Sequence, residues 1–496
     1  MKNILGFFVG NSDNSLNFRY KGIIRFIPLI LAGGFFALTI FLHAFGPTDW
    51  NVTNPLELYS FLIACVFALV IGYMLAVYKT KNQEKRMNIN SGRILMVGAI
   101  VFLILFFPLC RMTTGKWLPD VYLGITNTGA AYQLTKYYSV TGSKLFFYIR
   151  ILLSPFIFVV MPITLFFFTK LTRVQKALGI AAISLNVALG IAQGVNKHVA
   201  DIVMQLVLVL AILFFSNGKQ TKKERIIYRA GILVLIGCIC VSFLLYYSNA
   251  MKNRVAMDLH MEAELGSQMG GNEGADTGDD GQRPDIEDVI TQKPNISDNV
   301  VSDSIDAYAY FSVGQDRQSA FWNAVIPEKI KPVVNYMISY FCHGYNGLSF
   351  AMEEEFTCTY GLGFSDFIRH NFARFFGGEA FEEEIYERTY MGKVEKQGWE
   401  TGLMWSSFFI FPASDLSFVG TVLLVCLIGF LFGLSWKDTI TTENPFACAA
   451  FFGFTTMVFY FSANNQLFQT GENCVAFLCV LLAWFVSRTL LLKRAK

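Results

Sequence analysis

Charge is scarce in this chain. Only 16% of its 496 residues are charged, against 54% hydrophobic, and the mean hydropathy is +0.44. Soluble domains seldom combine those values. The net charge is only +3, and no basic block is interleaved with aromatics, so nucleic acid is set aside as a partner. No CxxC pair and no Cys/His cluster with zinc spacing occurs, and no metal site is expected. Most of the ten Cys lie inside apolar runs, where packing accounts for them. Cys342 and Cys358 are the two in a polar region, and one pair is weak evidence for a disulfide. There is no internal repeat. The first apolar run lacks a small-residue cleavage site and is long for a signal-peptide core, so it reads as a retained anchor.

Long apolar runs are what the chain does have. They fall at about 24–45, 57–78, 94–110, 146–169, 177–194, 199–216, 229–247, 416–436, 445–462 and 472–490. Each approaches the roughly 20 residues that cross a bilayer as a helix. The expected fold is therefore an all-α multi-pass membrane protein of about ten spans. Residues 1–247 form an N-terminal bundle of about seven spans, and 403–496 a C-terminal bundle of about three. Between them, 248–402 is a large loop. Its part 266–304 is acidic, rich in Gly and Ser, and reads as mobile, while 305–402 carries aromatics and should fold on the membrane surface. The run 403–411 is short enough to lie flat or to dip in and return.

Alternate connections are basic. Lys79, Lys81, Lys85, Arg86 and Arg93 stand in one, Lys170, Arg173 and Lys176 in the next, and Lys219, Lys222, Lys223, Arg225 and Arg229 in a third. Lys493, Arg494 and Lys496 end the chain. The positive-inside rule then places both termini in the cytoplasm and the large loop outside. Residues 111–144 dissent, since they hold Arg111, Lys116, Lys136 and Lys144 against Asp120 on the outer side.

Within the large loop, Lys331 to Gly377 organises the rest. Pro332 suits a first helical position and Gly344 the residue after a last turn, with Asn335, Ser339 and His343 four apart on one face. Ser365 and Gly377 bracket a second helix. Phe364, Ile368, Phe372 and Phe375 form its apolar side, and Asp366, His370 and Arg374 line the opposite side with Arg369 beside them. The span centres are nearly free of charge. Ionisable residues gather at the proposed outer ends instead: Arg111, Arg150, Lys197, His198, Asp201, Asp415 and Glu472. Any one of these is explained by a wet helix end or a snorkelling stem. Together they suit a lipid diphosphate, whose charge sits where the hydrocarbon stops. With a sugar attached, that diphosphate is also a leaving group, and stabilising its charge would assist transfer to an acceptor hydroxyl.

Three stretches carry a resemblance: His343-Gly344-Tyr345-Asn346-Gly347-Leu348-Ser349, Thr359-Tyr360-Gly361-Leu362-Gly363-Phe364-Ser365, and Ser414-Asp415-Leu416. With the span count and the late large loop, they resemble the bacterial oligosaccharide repeat-unit polymerases (Wzy-type) that build O-antigen, capsule and exopolysaccharide. The resemblance implies a membrane glycosyltransferase of the cytoplasmic (inner) membrane, metal-independent, cofactor-free and inverting. Its substrate would be a glycan on undecaprenyl diphosphate, and its partners a chain-length regulator and a repeat-unit flippase. Arg369, Arg374, Lys197, Arg150 and Arg111 are the expected diphosphate ligands. His343 or His370 would orient or deprotonate the acceptor, supported by Asp366 or Asp415. Tyr345, Tyr360, His198 and Asp201 would contact substrate. The family places Arg after Gly in the loop behind the fifth span, whereas here Gly194 is followed by Lys197, which lacks the bidentate fork. A glycan ligase using the same lipid, a transporter or flippase, and a non-catalytic assembly protein are the rival readings.

Overall fold

The computed structural model describes residues 22–50, 52–80, 83–85, 89–141, 143–216, 222–270, 314–316, 319–327, 330–399, 406–490 and 492–494. The chain is an all-α multi-pass membrane protein. Helix α1 (Leu29–Phe45) leads into strand β1 (Thr48–Trp50) and then α2 (Pro55–Lys79). Strand β2 (Gln83–Lys85) precedes α3 (Ser91–Thr114), and two short helices follow, α4 (Val121–Thr126) and α5 (Thr128–Thr141). Next come α6 (Lys144–Phe166), α7 (Arg173–Ala192), α8 (Lys197–Phe215) and the long α9 (Lys222–Gly270). Strand β3 (Gly314–Asp316) opens a polar segment containing α10 (Ala320–Val325), α11 (Lys331–Cys342), α12 (Gly344–Met352), α13 (Asp366–Phe376), α14 (Gly378–Arg388) and α15 (Tyr390–Lys396). Helices α16 (Ile410–Thr442), α17 (Pro445–Phe459) and α18 (Gly471–Leu490) and strand β4 (Leu492–Arg494) complete the chain. Among the described residues eight helices are long and apolar enough to cross a membrane, and α1 and α17 are shorter apolar helices beside them.

Local chemistry sets the ends. Pro55 sits in the first turn of α2, where its missing N–H costs nothing. Asn90 accepts from the Arg93 N–H at 3.0 Å to start α3, and Gly115 stops it in the left-handed region at φ 72°. Thr172 and Gln175 close a capping box on α7. Helices α2 and α16 meet through glycine. A Cβ on Gly72 would strike the Cys426 carbonyl, and one on Gly429 the Leu69 carbonyl. Without a hydrophobic drive in lipid, such backbone approach is how spans gain dispersion contact. Stacked aromatics fill the same core, with Phe432 on Phe451 at 5.7 Å and Trp436 beside Phe451 at 4.7 Å.

The two ends of the bundle are tied separately. Strands β2 and β4 pair antiparallel at the end that carries the basic connections. Strands β1 and β3 pair at the other end, where the polar segment from Gly314 onward gathers. We call the first the basic end and the second the loop end.

Three expectations need correction. Gly344 does not end its helix: α11 stops at Cys342, His343 turns the chain, and Gly344 begins α12. Helix α9 runs on past 247 to Gly270, so part of the presumed mobile loop is helical, and residues 271–313 lie outside the described residues. Of the run 403–411, residues 403–405 lie outside the described residues. Residues 406–414 are buried as a block, from Ser406 at 0% to Ser414 at 1% exposed, and α16 breaks just beyond them at Ser417, φ 62°. Finally, α12 is buried in the protein rather than laid on the surface, with Tyr345, Asn346 and Leu348 all at 0% exposure. Helical periodicity reports an apolar face and is silent on whether protein or lipid covers it.

Candidate functional site

The sequence-selected residues separate into three groups at the loop end. The first is an open pocket of about 470 Å³ lined by Asp366, Arg369 and His370 of α13, Glu382 and Tyr386 of α14, and Met391 of α15. Ser365 caps α13 by accepting from the Ile368 N–H at 3.2 Å, and its own hydroxyl donates to the Phe468 carbonyl. That double hold fixes the start of α13 against the bundle. Arg369 turns inward to 8% exposure, pairs with Asp366 at 2.7 Å and lies over the Tyr386 ring at 4.9 Å. Its Nε has no protein partner. His370 is exposed and its Nδ1 stands 3.0 Å from a Glu382 oxygen. A carboxylate only accepts, so the neutral ring carries its proton on Nδ1 and leaves Nε2 as a base. The expected apolar side of α13 is partly bare, with Phe372 41% and Phe375 71% exposed, and the adjoining Phe376 is 78% exposed.

The second group lies between the spans. Gly194 takes φ 64° in the turn after α7, and a Cβ there would press on the Thr128 carbonyl, so only glycine fits. The turn aims Lys197, His198 and Asp201 from the first turns of α8. Lys197 pairs with Asp201 at 2.5 Å, and the Tyr460 hydroxyl donates to Asp201 at 3.3 Å. Arg150 donates to Glu472 at 2.5 Å, and the charges of Lys197, Asp201 and Arg150 all reach His198. Two residues that the sequence did not single out complete the group. Arg254, in the extension of α9, donates to the Gly194 carbonyl and covers the Tyr132 ring at 4.3 Å. Tyr247 is 7% exposed beside Tyr336 and Tyr340. Lys136 reaches the same Tyr132 ring at 4.7 Å. The dissenting charge of 111–144 is therefore partly explained, since Lys136 joins a cationic, tyrosine-lined site. Burial pushes the Tyr340 phenol up to about 12, so it stays protonated at neutral pH. Asn196 Oδ1, His198 Nδ1, Tyr246 and Tyr247 hydroxyls and Arg254 Nε are buried with no protein partner. Such atoms are scarce in folded proteins, and Tyr246, Tyr247 and Arg254 carry theirs on neighbouring turns of α9.

Arg374 links these two groups without lining a cavity with Lys197. It lies one turn beyond His370 and donates to the Tyr148 hydroxyl at 2.5 Å. Tyr148 and Arg150 both belong to the first turns of α6. Neither of the two cavities found at this end and in the bundle contains both cations: the second, lined by Asn186 and His198 among apolar side chains, lies between α3, α6, α7 and α8.

The third group is internal. His343 is 7% exposed and its Nδ1 donates to the Ser339 carbonyl at 2.7 Å. Tyr345 bonds Thr39 of α1 at 2.9 Å and packs edge-on against His43, whose Nδ1 meets the Tyr59 hydroxyl at 3.0 Å. His43 gave no signal in the sequence because it stands alone in an apolar run. Asp415 is bound into the 359–363 loop, and Tyr360 is exposed at that loop's tip. Arg111 is exposed in the last turn of α3 and lines neither cavity. Cys342 and Cys358 are free thiols. Among the described residues no cluster of three or more His, Cys, Asp or Glu is placed to hold a metal ion. No family model, curated protein or solved structure matches the chain.

Proposed function

We propose that this chain polymerises glycan repeat units carried on a lipid diphosphate, by inverting, metal-independent transfer at the loop end. The observation that carries the reading is the make-up of α13. It brings a His370–Glu382 pair and Arg369 into one open pocket, sets Arg374 one turn away, and leaves Phe375 and Phe376 bare for lipid. A substrate with an apolar tail, an anionic head and a sugar needs those three kinds of contact in that order.

In this reading an acceptor hydroxyl gives its proton to His370 Nε2 while its oxygen attacks the anomeric carbon. The bond from that carbon to the diphosphate breaks, the glycosidic bond forms with inversion, and the lipid diphosphate leaves. Glu382 holds the ring in the basic tautomer and stabilises the imidazolium. Arg369 in the pocket and Arg374 one turn away offset the charge that grows on the leaving group. The basic end would then face the cytoplasm with both termini, and the loop end would face outward from a bacterial inner membrane. A repeat-unit flippase would supply the substrate and a chain-length regulator would set the product size.

The test uses the purified full chain in lipid vesicles with a lipid-linked oligosaccharide. Lengthened lipid-linked product is the expected result. Transfer to an unrelated acceptor would make the chain a ligase, and no transfer at all would leave transport or assembly.

A further inference from the structure

Three non-glycine residues among those described have positive φ: Tyr360 at 57°, Ser417 at 62° and Glu443 at 53°. Two of the three flank Asp415. A left-handed backbone is uncommon for any side chain with a Cβ and is an outlier for a bulky one. Tyr360 is also 75% exposed. Burial of this side chain therefore contributes little to the fold, and a glycine would adopt the same turn at ease. The neighbouring Gly361, at φ 86°, does so.

The conformation is nonetheless firmly imposed. Asp415 Oδ1 accepts from the Gly361 N–H at 2.7 Å and the Gly363 N–H at 3.3 Å. The Thr359 hydroxyl is shared between that oxygen and the Ser414 carbonyl, the latter at 2.9 Å. A Cβ on Gly363 would run into Thr359 and Ser414, so the loop lies tight on the start of α16. The same Ser414 accepts the Tyr390 N–H at 3.0 Å, and Tyr390 adjoins Met391 of the α13 pocket. One short chain of hydrogen bonds thus ties the tip of this loop to the wall of that pocket.

We propose that Tyr360 is an aromatic platform for a sugar ring of the substrate glycan, and that Asp415 is the positioning residue that holds it there. The assignment rests on the glycan reading above, and it adds which face of the site meets the carbohydrate. A phenol ring offers a flat apolar face to the C–H face of a pyranose and a hydroxyl to its rim. The strain at Tyr360 is the cost of pointing that ring outward, and the Asp415 bonds offset it.

The experiment compares Tyr360→Gly, Tyr360→Trp and Asp415→Ala in the full chain. The probes are the lipid-linked oligosaccharide isolated from cells that carry the gene, and the same oligosaccharide released from its lipid by mild acid. Tyr360→Gly is expected to unfold at a higher temperature than the parent and yet to bind the released oligosaccharide about tenfold more weakly, the size of one lost stacking contact. Its KM should rise by the same factor with kcat nearly unchanged. Tyr360→Trp should restore binding. Asp415→Ala should match the weaker binding and lower the unfolding temperature. Unchanged affinity for the released oligosaccharide in Tyr360→Gly overturns the platform, and a loss confined to vesicle association makes Tyr360 a membrane anchor instead. If the parent chain lengthens no glycan, the polymerase reading fails, while the released-sugar titration still decides Tyr360.

Discussion

The two ends of the bundle differ in how far their ions are matched. At the basic end Asp438, Lys437 and Lys170 are met by the protein, while Arg225 Nε is left without a protein partner. Asp438 is 2% exposed and accepts from Arg488 Nε at 2.7 Å and Trp484 Nε1 at 3.0 Å. Lys437 is 4% exposed and gives its Nζ protons to the Thr80 carbonyl at 2.7 Å and hydroxyl at 3.1 Å. Lys170 pairs with Glu443. At the loop end Arg254, Arg369, His198 and Tyr247 keep buried polar atoms that the protein leaves unmatched. A saturated network stabilises a fold, whereas unmatched donors beside cations suit an anionic or hydroxyl-rich ligand.

Substitutions can break that contrast or sharpen it. The largest effect is expected at the basic end. Asp438→Ala strands Arg488 and Trp484 and should destabilise the chain by about 3–5 kcal/mol. Thermal unfolding in detergent would register it, with activity per folded molecule unchanged. At the loop end the order reverses. His370→Ala should lower kcat about 10²-fold, the size of a lost general base, with the unfolding temperature held. Glu382→Gln should give a smaller fall in the same direction. Arg254→Ala should weaken binding of the lipid-linked donor about tenfold, as the loss of a charged hydrogen-bond donor predicts. If it lowers the unfolding temperature as much as Asp438→Ala does, the two ends are alike and the contrast is lost.

The smallest effect concerns the cap on α4. Asp120 accepts from the Leu123 N–H at 2.9 Å and from Lys116 at 2.6 Å, and chiefly the Lys116 bond holds its carboxyl below the usual range. A carboxylate with a lowered folded-state value adds stability above its unfolded value and loses it as pH falls through the folded one. The cap is thus at full strength at neutral pH and weakens in acid. Asp120→Ala should cost about 1 kcal/mol at pH 7 and less at low pH, readable in amide exchange of α4.

Much of the fold was legible in composition. The ten apolar runs correspond to ten helices because bilayer-length runs can satisfy their backbone only by coiling. Run 94–110, for instance, became Ser91–Thr114, extended at both ends by the polar caps that hydropathy does not score. The Ser365 cap and the Gly377 stop of α13 were also readable, being local. The site was legible only as an inventory. Arg150, Lys197 and Asp201 were visible as charged span ends, but Arg254 lies in a helix extension that composition scored as loop. His343 looked like a surface base and is a buried partner of Ser339. The helices it joins, α11 and α12, pack on α1 and α2, and the adjoining Gly344 carbonyl accepts from the Ser407 N–H, all remote in the chain.

By itself, then, the order of residues determined how many helices form, where they stop and which end of the bundle is basic. Those outcomes depend on hydrogen bonds and apolar contacts made within a few turns. Tertiary packing alone decided which polar groups are matched and which stay open. Pairing Arg150 with Glu472, or Asp415 with the Gly361 N–H, spans hundreds or dozens of residues. Such contacts exist only once the spans have chosen their neighbours.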